Sequence, residues 1–78
     1  MAKYQGHPSW NKWNVSLWLD NDYETYTFAN LMLGQYGLER AAIELHTSLP
    51  KRTPDGAEYN LDSLRYALQS LLMETRDV

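Results

Sequence analysis

All three tryptophans of this chain, Trp10, Trp13 and Trp18, fall within nine residues, at the start of the segment WNKWNVSLWLDNDYE that spans 10–24. Their placement matters because a short chain has few other means of holding itself together. A chain of 78 residues buries only about 60% of the surface that its unfolded form exposes. Domains of that size commonly add a disulfide, a metal or dense apolar packing. There is no cysteine, which excludes disulfides and thiolate metal sites. Packing remains, and the composition supplies it at 44% hydrophobic and 13% aromatic, aromatic side chains burying the most area per residue. The expectation is one domain over 1–78.

The apolar pattern follows a helical period, and no run alternates with period two, so an all-α chain with no sheet is expected. Residues 1–8 read as an extended arm, because Gly6 and Pro8 oppose an early helix. Ser9 is a suitable N-cap for a first helix over about 10–20. On its wheel Trp10, Trp13 and Leu17 share one face and Val15, Trp18 and Leu19 a second, leaving Lys12, Ser16 and Asp20 as a solvent strip. Trp13 and Leu17 are expected in the core. A helix apolar on two sides is either central in its bundle or keeps a face for a partner.

Asn21 is the expected cap of a second helix over about 22–33, with Glu24 placed as in a capping box. Gly34 and Gly37 bracket the break after it. A third helix over about 38–49 carries a stripe of Leu38, Ala41, Ala42, Leu45 and Leu49, and Pro50 ends it. Thr53-Pro54-Asp55-Gly56 is a turn in which Pro54 fixes φ and Gly56 suits the last position. Asn60 caps a fourth helix over about 61–74, with Tyr59 and Leu64 spaced as a hydrophobic staple and a stripe of Leu61, Leu64, Leu68, Leu71 and Leu72. The whole reads as a compact bundle of four short helices, in which the one-sided third and fourth cover the first two. Short connections favour antiparallel neighbours.

Few features carry chemistry. His7 and His46 are the only histidines, and neither stands at catalytic or metal-ligand spacing from an acidic residue. The run Asp20-Asn21-Asp22-Tyr23-Glu24 is too short for a calcium loop, which takes ligands at alternating positions over about twelve residues. Helix capping and the helix dipole are sufficient work for these carboxylates. The serines read as caps or surface. No catalytic residue, metal ligand or cofactor is expected. Lys51-Arg52 is the main basic concentration and reads as a solvated loop. With a net charge of −3, direct binding to a nucleic-acid backbone is not expected. No apolar run approaches the roughly 20 residues of a membrane span and no secretory signal opens the chain, so a cytoplasmic protein is expected. Asn11, Asn14 and Asn21 are poor choices for a helix interior, and either bond backbone at a junction or serve a partner.

The pattern S-W-N-x-W-N-V-x-L-W-L-x-N-D over Ser9–Asp22, with T-P-D-G-x-x-Y over Thr53–Tyr59 and L-R-x-A-L over Leu64–Leu68, resembles a family of small uncharacterised proteins of bacteriophages, plasmids and other mobile elements. The resemblance spans most of the chain, and three tryptophans at this spacing are its most specific part. Members often carry proline where this chain has Glu58, a departure that bears on the loop's rigidity and not on the fold. The family has no assigned reaction.

What the resemblance implies is a phage protein of host takeover or anti-defence, with the anti-CRISPR proteins as the best-studied class. The expectation is a non-catalytic inhibitor in the host cytoplasm, which docks on a host protein or ribonucleoprotein defence complex and blocks nucleic-acid access. Bulky aromatics beside carboxylates suit such docking. The candidate partner-binding residues are Trp10, Trp18, Asp20, Asp22, Tyr23 and Glu24, with Glu39 and Glu44 as added charge. Two other classes stand beside this reading. One is a homodimer that buries the second faces of the first two helices. The other is a weak single-stranded nucleic-acid binder that stacks bases on its aromatics.

Overall fold

A computed structural model describes residues 9–76 of the chain; the proposed N-terminal arm 1–8, with His7, lies outside the described residues. Four helices fill them: α1 (Trp10–Asn21), α2 (Tyr23–Tyr36), α3 (Leu38–Ser48) and α4 (Leu61–Arg76). The molecule is an all-α bundle, with no strand among the described residues beyond one isolated antiparallel bridge between Arg52 and Glu58.

Each boundary has a local cause. Ser9 is extended, at φ −154° and ψ 160°, and its Oγ accepts from the Lys12 N–H at 3.1 Å, satisfying one of the orphan donors of α1. Asp22 alone joins α1 to α2. Its N–H closes α1 on the Trp18 carbonyl at 3.0 Å, and its own carbonyl opens α2 by accepting from Tyr26 at 2.8 Å. The expected cap, Asn21, is instead the last residue of α1. That shifts the frame by one residue, so Glu24 is not at the capping-box position. Thr25 occupies it, and its hydroxyl donates to the Asp22 carboxylate.

α2 runs three residues past the expected end, because Gly34 stays helical. The break needs only Gly37, at φ 87° and ψ 178°, a region of backbone space essentially reserved for glycine. α3 closes with the Leu49 N–H on the Leu45 carbonyl at 2.8 Å. α4 opens with Asn60, whose Oδ1 accepts from the Ser63 N–H at 2.8 Å. Tyr59 and Leu64 are both buried in the same core cluster, as a staple requires.

Each helix packs on its neighbours in sequence, α4 returns to close on α1, and α4 also reaches α2 across the middle, whereas α1 and α3 do not meet. So α4, not α1, is central. Its stripe of Leu64, Ala67, Leu68 and Leu71 is buried almost completely, and faces Val15 and Leu19 of α1, Ala29 and Met32 of α2, and Ala41, Ala42 and Leu45 of α3 within one cluster. The expectation for α1 is corrected here. None of the three tryptophans belongs to the core cluster, and Trp13 and Leu17 are only partly buried. The inner face of α1 is Asn14, Val15, Ser16 and Leu19. Ser16, expected on the solvent strip, is buried, and its Oγ lacks a hydrogen-bond partner. The helix is rotated inward on this face because Asn14 has a buried partner waiting for it.

Candidate functional site

That partner is the segment between α3 and α4. Residues 51–59 fold back as a small hairpin. The Tyr59 N–H donates to the Lys51 carbonyl at 2.9 Å, and the Thr53 N–H donates to the Ala57 carbonyl at 2.8 Å. The turn itself closes from the Gly56 N–H to the Thr53 carbonyl at 2.9 Å. Gly56 has φ 100°, which explains the glycine at this position. The Arg52 guanidinium donates to the Gly56 carbonyl at 3.0 Å and spans the hairpin to Glu58 at 3.4 Å.

Asn11, Asn14 and Trp18 stand at i, i+3 and i+7, one stripe of α1, and all three grip this hairpin. Asn11 meets both backbone groups of Glu58: its Oδ1 accepts from the N–H at 2.8 Å and its Nδ2 donates to the carbonyl at 2.9 Å. The same Nδ2 donates to Ser63 Oγ at 2.7 Å, so Ser63, expected at the surface, is buried at the base of α4. Asn14, 1% exposed, accepts from Thr53 Oγ1 at 2.6 Å and donates to Asp55 Oδ2 at 2.9 Å. Trp18 Nε1 donates to the same oxygen at 2.9 Å. The amide of Asn14 and the indole of Trp18 together hold the Asp55 carboxyl below its ordinary range, because both donors favour the charged form. The Trp-Asn segment and the T-P-D-G turn are therefore two halves of one tertiary contact.

The carboxylates form a separate feature. Asp20 lies in the last turn of α1, Asp22 is the junction, and Tyr23 and Glu24 open α2; all four are exposed, Tyr23 at 79%. Beneath this corner lies the buried Tyr59. Burial raises its phenol above the ordinary tyrosine range, and the nearby negative charge of Asp22 raises it further. The outer face of α2 continues from Tyr23 through Thr27 to Leu31, itself 51% exposed.

The candidate residues therefore divide. Asp20, Asp22, Tyr23 and Glu24 are brought together at one corner. Trp10, 37% exposed, is ten residues and about 15 Å along the axis of α1 from Asp20. Trp18 lies roughly 200° around the same helix from Asp20 and is committed to Asp55. Glu39 and Glu44, the added charges, are paired with Arg65 and Arg40, each at 3.0 Å. Lys12, on the expected solvent strip, reaches Asp62 of α4 at 3.2 Å and lies over the Tyr66 ring at 5.6 Å. Helix-breaking asparagines on the stripe that carries Trp18 were the only sequence signal of the hairpin clasp.

Among the described residues no three His, Asp or Glu side chains are grouped to hold a metal ion, and no helix is long and apolar enough to cross a membrane. No protein-family model matches the chain, and no curated protein or solved structure compared with it does so either.

Proposed function

We propose that this chain is a non-catalytic docking protein of a phage or other mobile element, which binds a host protein or ribonucleoprotein defence complex and blocks its nucleic-acid site in the manner of an anti-CRISPR protein. The observation that carries the reading is the corner of Asp20, Asp22, Tyr23 and Glu24, where a tyrosine 79% exposed stands among three carboxylates. Exposed aromatics supply contact area at low conformational cost. The carboxylates suit the lysines and arginines with which a nuclease holds phosphates, and give orientation and a fast approach.

The test expresses the chain in a bacterial host with active CRISPR immunity and measures phage plating. The wild type restores plating, and D20K/Y23A/E24K loses that effect while its helical circular dichroism is unchanged. Asp22 is left intact, because it caps α2. Inhibition by the triple variant equal to wild type removes the corner as the docking surface. A wild type that restores plating against no immune system removes the proposal.

A further inference from the structure

The described residues frame a second feature, a groove of about 510 Å³ between the end of α3, the hairpin and the start of α4. Leu49 and Tyr59 give it apolar walls, and His46, Lys51, Arg52 and Glu58 give it polar ones. In a chain of net charge −3, this groove is lined by two cationic side chains, Lys51 and Arg52, and one carboxylate, Glu58. Lys12, Arg40 and Arg65 are each within 3.2 Å of a carboxylate. Lys51 has no ion pair among the described residues. Arg52 meets Glu58 at 3.4 Å, with both side chains more than half exposed.

The hairpin register adds an independent observation. Arg52 and Glu58 form the antiparallel bridge, and the hydrogen bonds on either side of it run from Thr53 to Ala57 and from Tyr59 to Lys51. Residues facing each other in that register turn their own N–H and C=O away from the partner strand. The outward pair of Glu58 is met by the side-chain amide of Asn11, which plays the part of a neighbouring strand. The outward N–H and C=O of Arg52 have no partner among the described residues. Two positions away on either side stand Pro50 and Pro54, which have no N–H to donate, so this edge offers the one outward pair of Arg52, enough to hold a single residue of an extended segment and not a continuing strand.

We propose that this groove binds an extended acidic segment of a partner polypeptide, which pairs with the backbone of Arg52 and sets its carboxylates against Lys51 and Arg52. The main-chain pair of Arg52 fixes the register of the segment, and the side chains of Lys51 and Arg52 supply the charge that selects it. The groove adjoins the acidic corner at Tyr59, but none of Asp20, Asp22, Tyr23 and Glu24 lines it, and the inference stands apart from the anti-defence reading.

The test titrates the isotope-labelled full chain at low salt with the capped peptide acetyl-Glu-Thr-Glu-Thr-Glu-Thr-amide, read by amide chemical shifts. The expected result is a shift and slowed exchange of the Arg52 amide, with shifts at Lys51 and His46. K51E weakens binding about tenfold, and so does N-methylation of alternate peptide residues, which leaves the protein untouched. Several results overturn the proposal: no shift at millimolar peptide, equal binding of the lysine counterpart, or equal binding of the N-methylated peptide. So does the same Arg52 shift with inorganic phosphate, which marks an anion site only. The same shift on raising protein concentration without peptide assigns the groove to a second copy of the chain.

Discussion

Asn14 is the residue on which the joint between α1 and the hairpin turns. Its amide is buried, and each end has a different partner: Thr53 at the oxygen, Asp55 at the nitrogen. Removing it leaves the Thr53 hydroxyl with one partner fewer inside the protein, and a buried polar group left unmatched costs about 1–3 kcal/mol. Asn14→Ala is expected to destabilise by that amount in urea denaturation. It also strips Asp55 of the larger of the two hydrogen bonds that hold its carboxyl down, so Asp55 moves back up toward its ordinary value of 3.8. The sign follows from linkage. A carboxyl depressed in the folded state contributes stability above its unfolded value, and loses it as pH falls through the folded one. The acid limb attributable to Asp55 is therefore smaller in Asn14→Ala, which a carboxyl titration by NMR checks. Trp18, read as a candidate for a partner, has its polar edge spent on the same carboxylate. What it offers outward is ring surface and not a hydrogen bond.

At the scale of elements, two glycines three residues apart do opposite work. Gly34 lies inside α2, is exposed, and a Cβ added there meets nothing within 4 Å. Gly37 also has open space around it, but its φ of 87° excludes other residues at ordinary cost. Gly34→Ala is expected to stabilise by about 0.5–1 kcal/mol, the helix penalty of glycine. Gly37→Ala is expected to destabilise by about 1–3 kcal/mol, the cost of a residue forced into that region. Thermal melts of the two variants, moving in opposite directions, check this. Both glycines stood out in the sequence as a break. Nothing local distinguished them, because which glycine turns the chain depends on where α3 must begin in order to pack on α4.

For the whole molecule, α4 and α2 each touch all the other helices, and it is α4 that carries the longest buried apolar stripe, with Leu68 in it. Leu68→Ala is expected to cost about 2–5 kcal/mol, a large part of the stability of a chain this size. Trp10→Ala, at the rim with 37% exposure, is expected to cost well under half of that. Paired urea titrations decide it. A loss at Trp10 equal to that at Leu68 would return the tryptophans to the core. The division of labour follows from shape. A bundle of four short helices leaves the outer sides of α1 and α2 uncovered, and the acidic corner stands at their junction.

The sequence by itself determined the four helices and, to within two residues, their ends outside α2, because helix formation answers to periodicity and caps within a few residues of each other. Ser9, Asn60, Pro50 and the turn at Thr53–Gly56 act at that range. Of the two one-sided stripes that the sequence marked, Ala41, Ala42, Leu45, Leu64, Leu68 and Leu71 lie in the core, whereas Leu38, Leu49 and Leu72 are partly buried and Leu61, at the first turn of α4, is exposed. The tertiary structure decided the rotation of α1, the central place of α4 and the purpose of the asparagines. The first and the last rest on hydrogen bonds that join residues 37 to 52 positions apart, and the place of α4 rests on apolar packing. On a helix apolar on two sides, burial energy does not choose the inner face. The choice goes with the buried amide of Asn14, which is satisfied by a hairpin far away in the chain, and it leaves the tryptophans outside the core cluster.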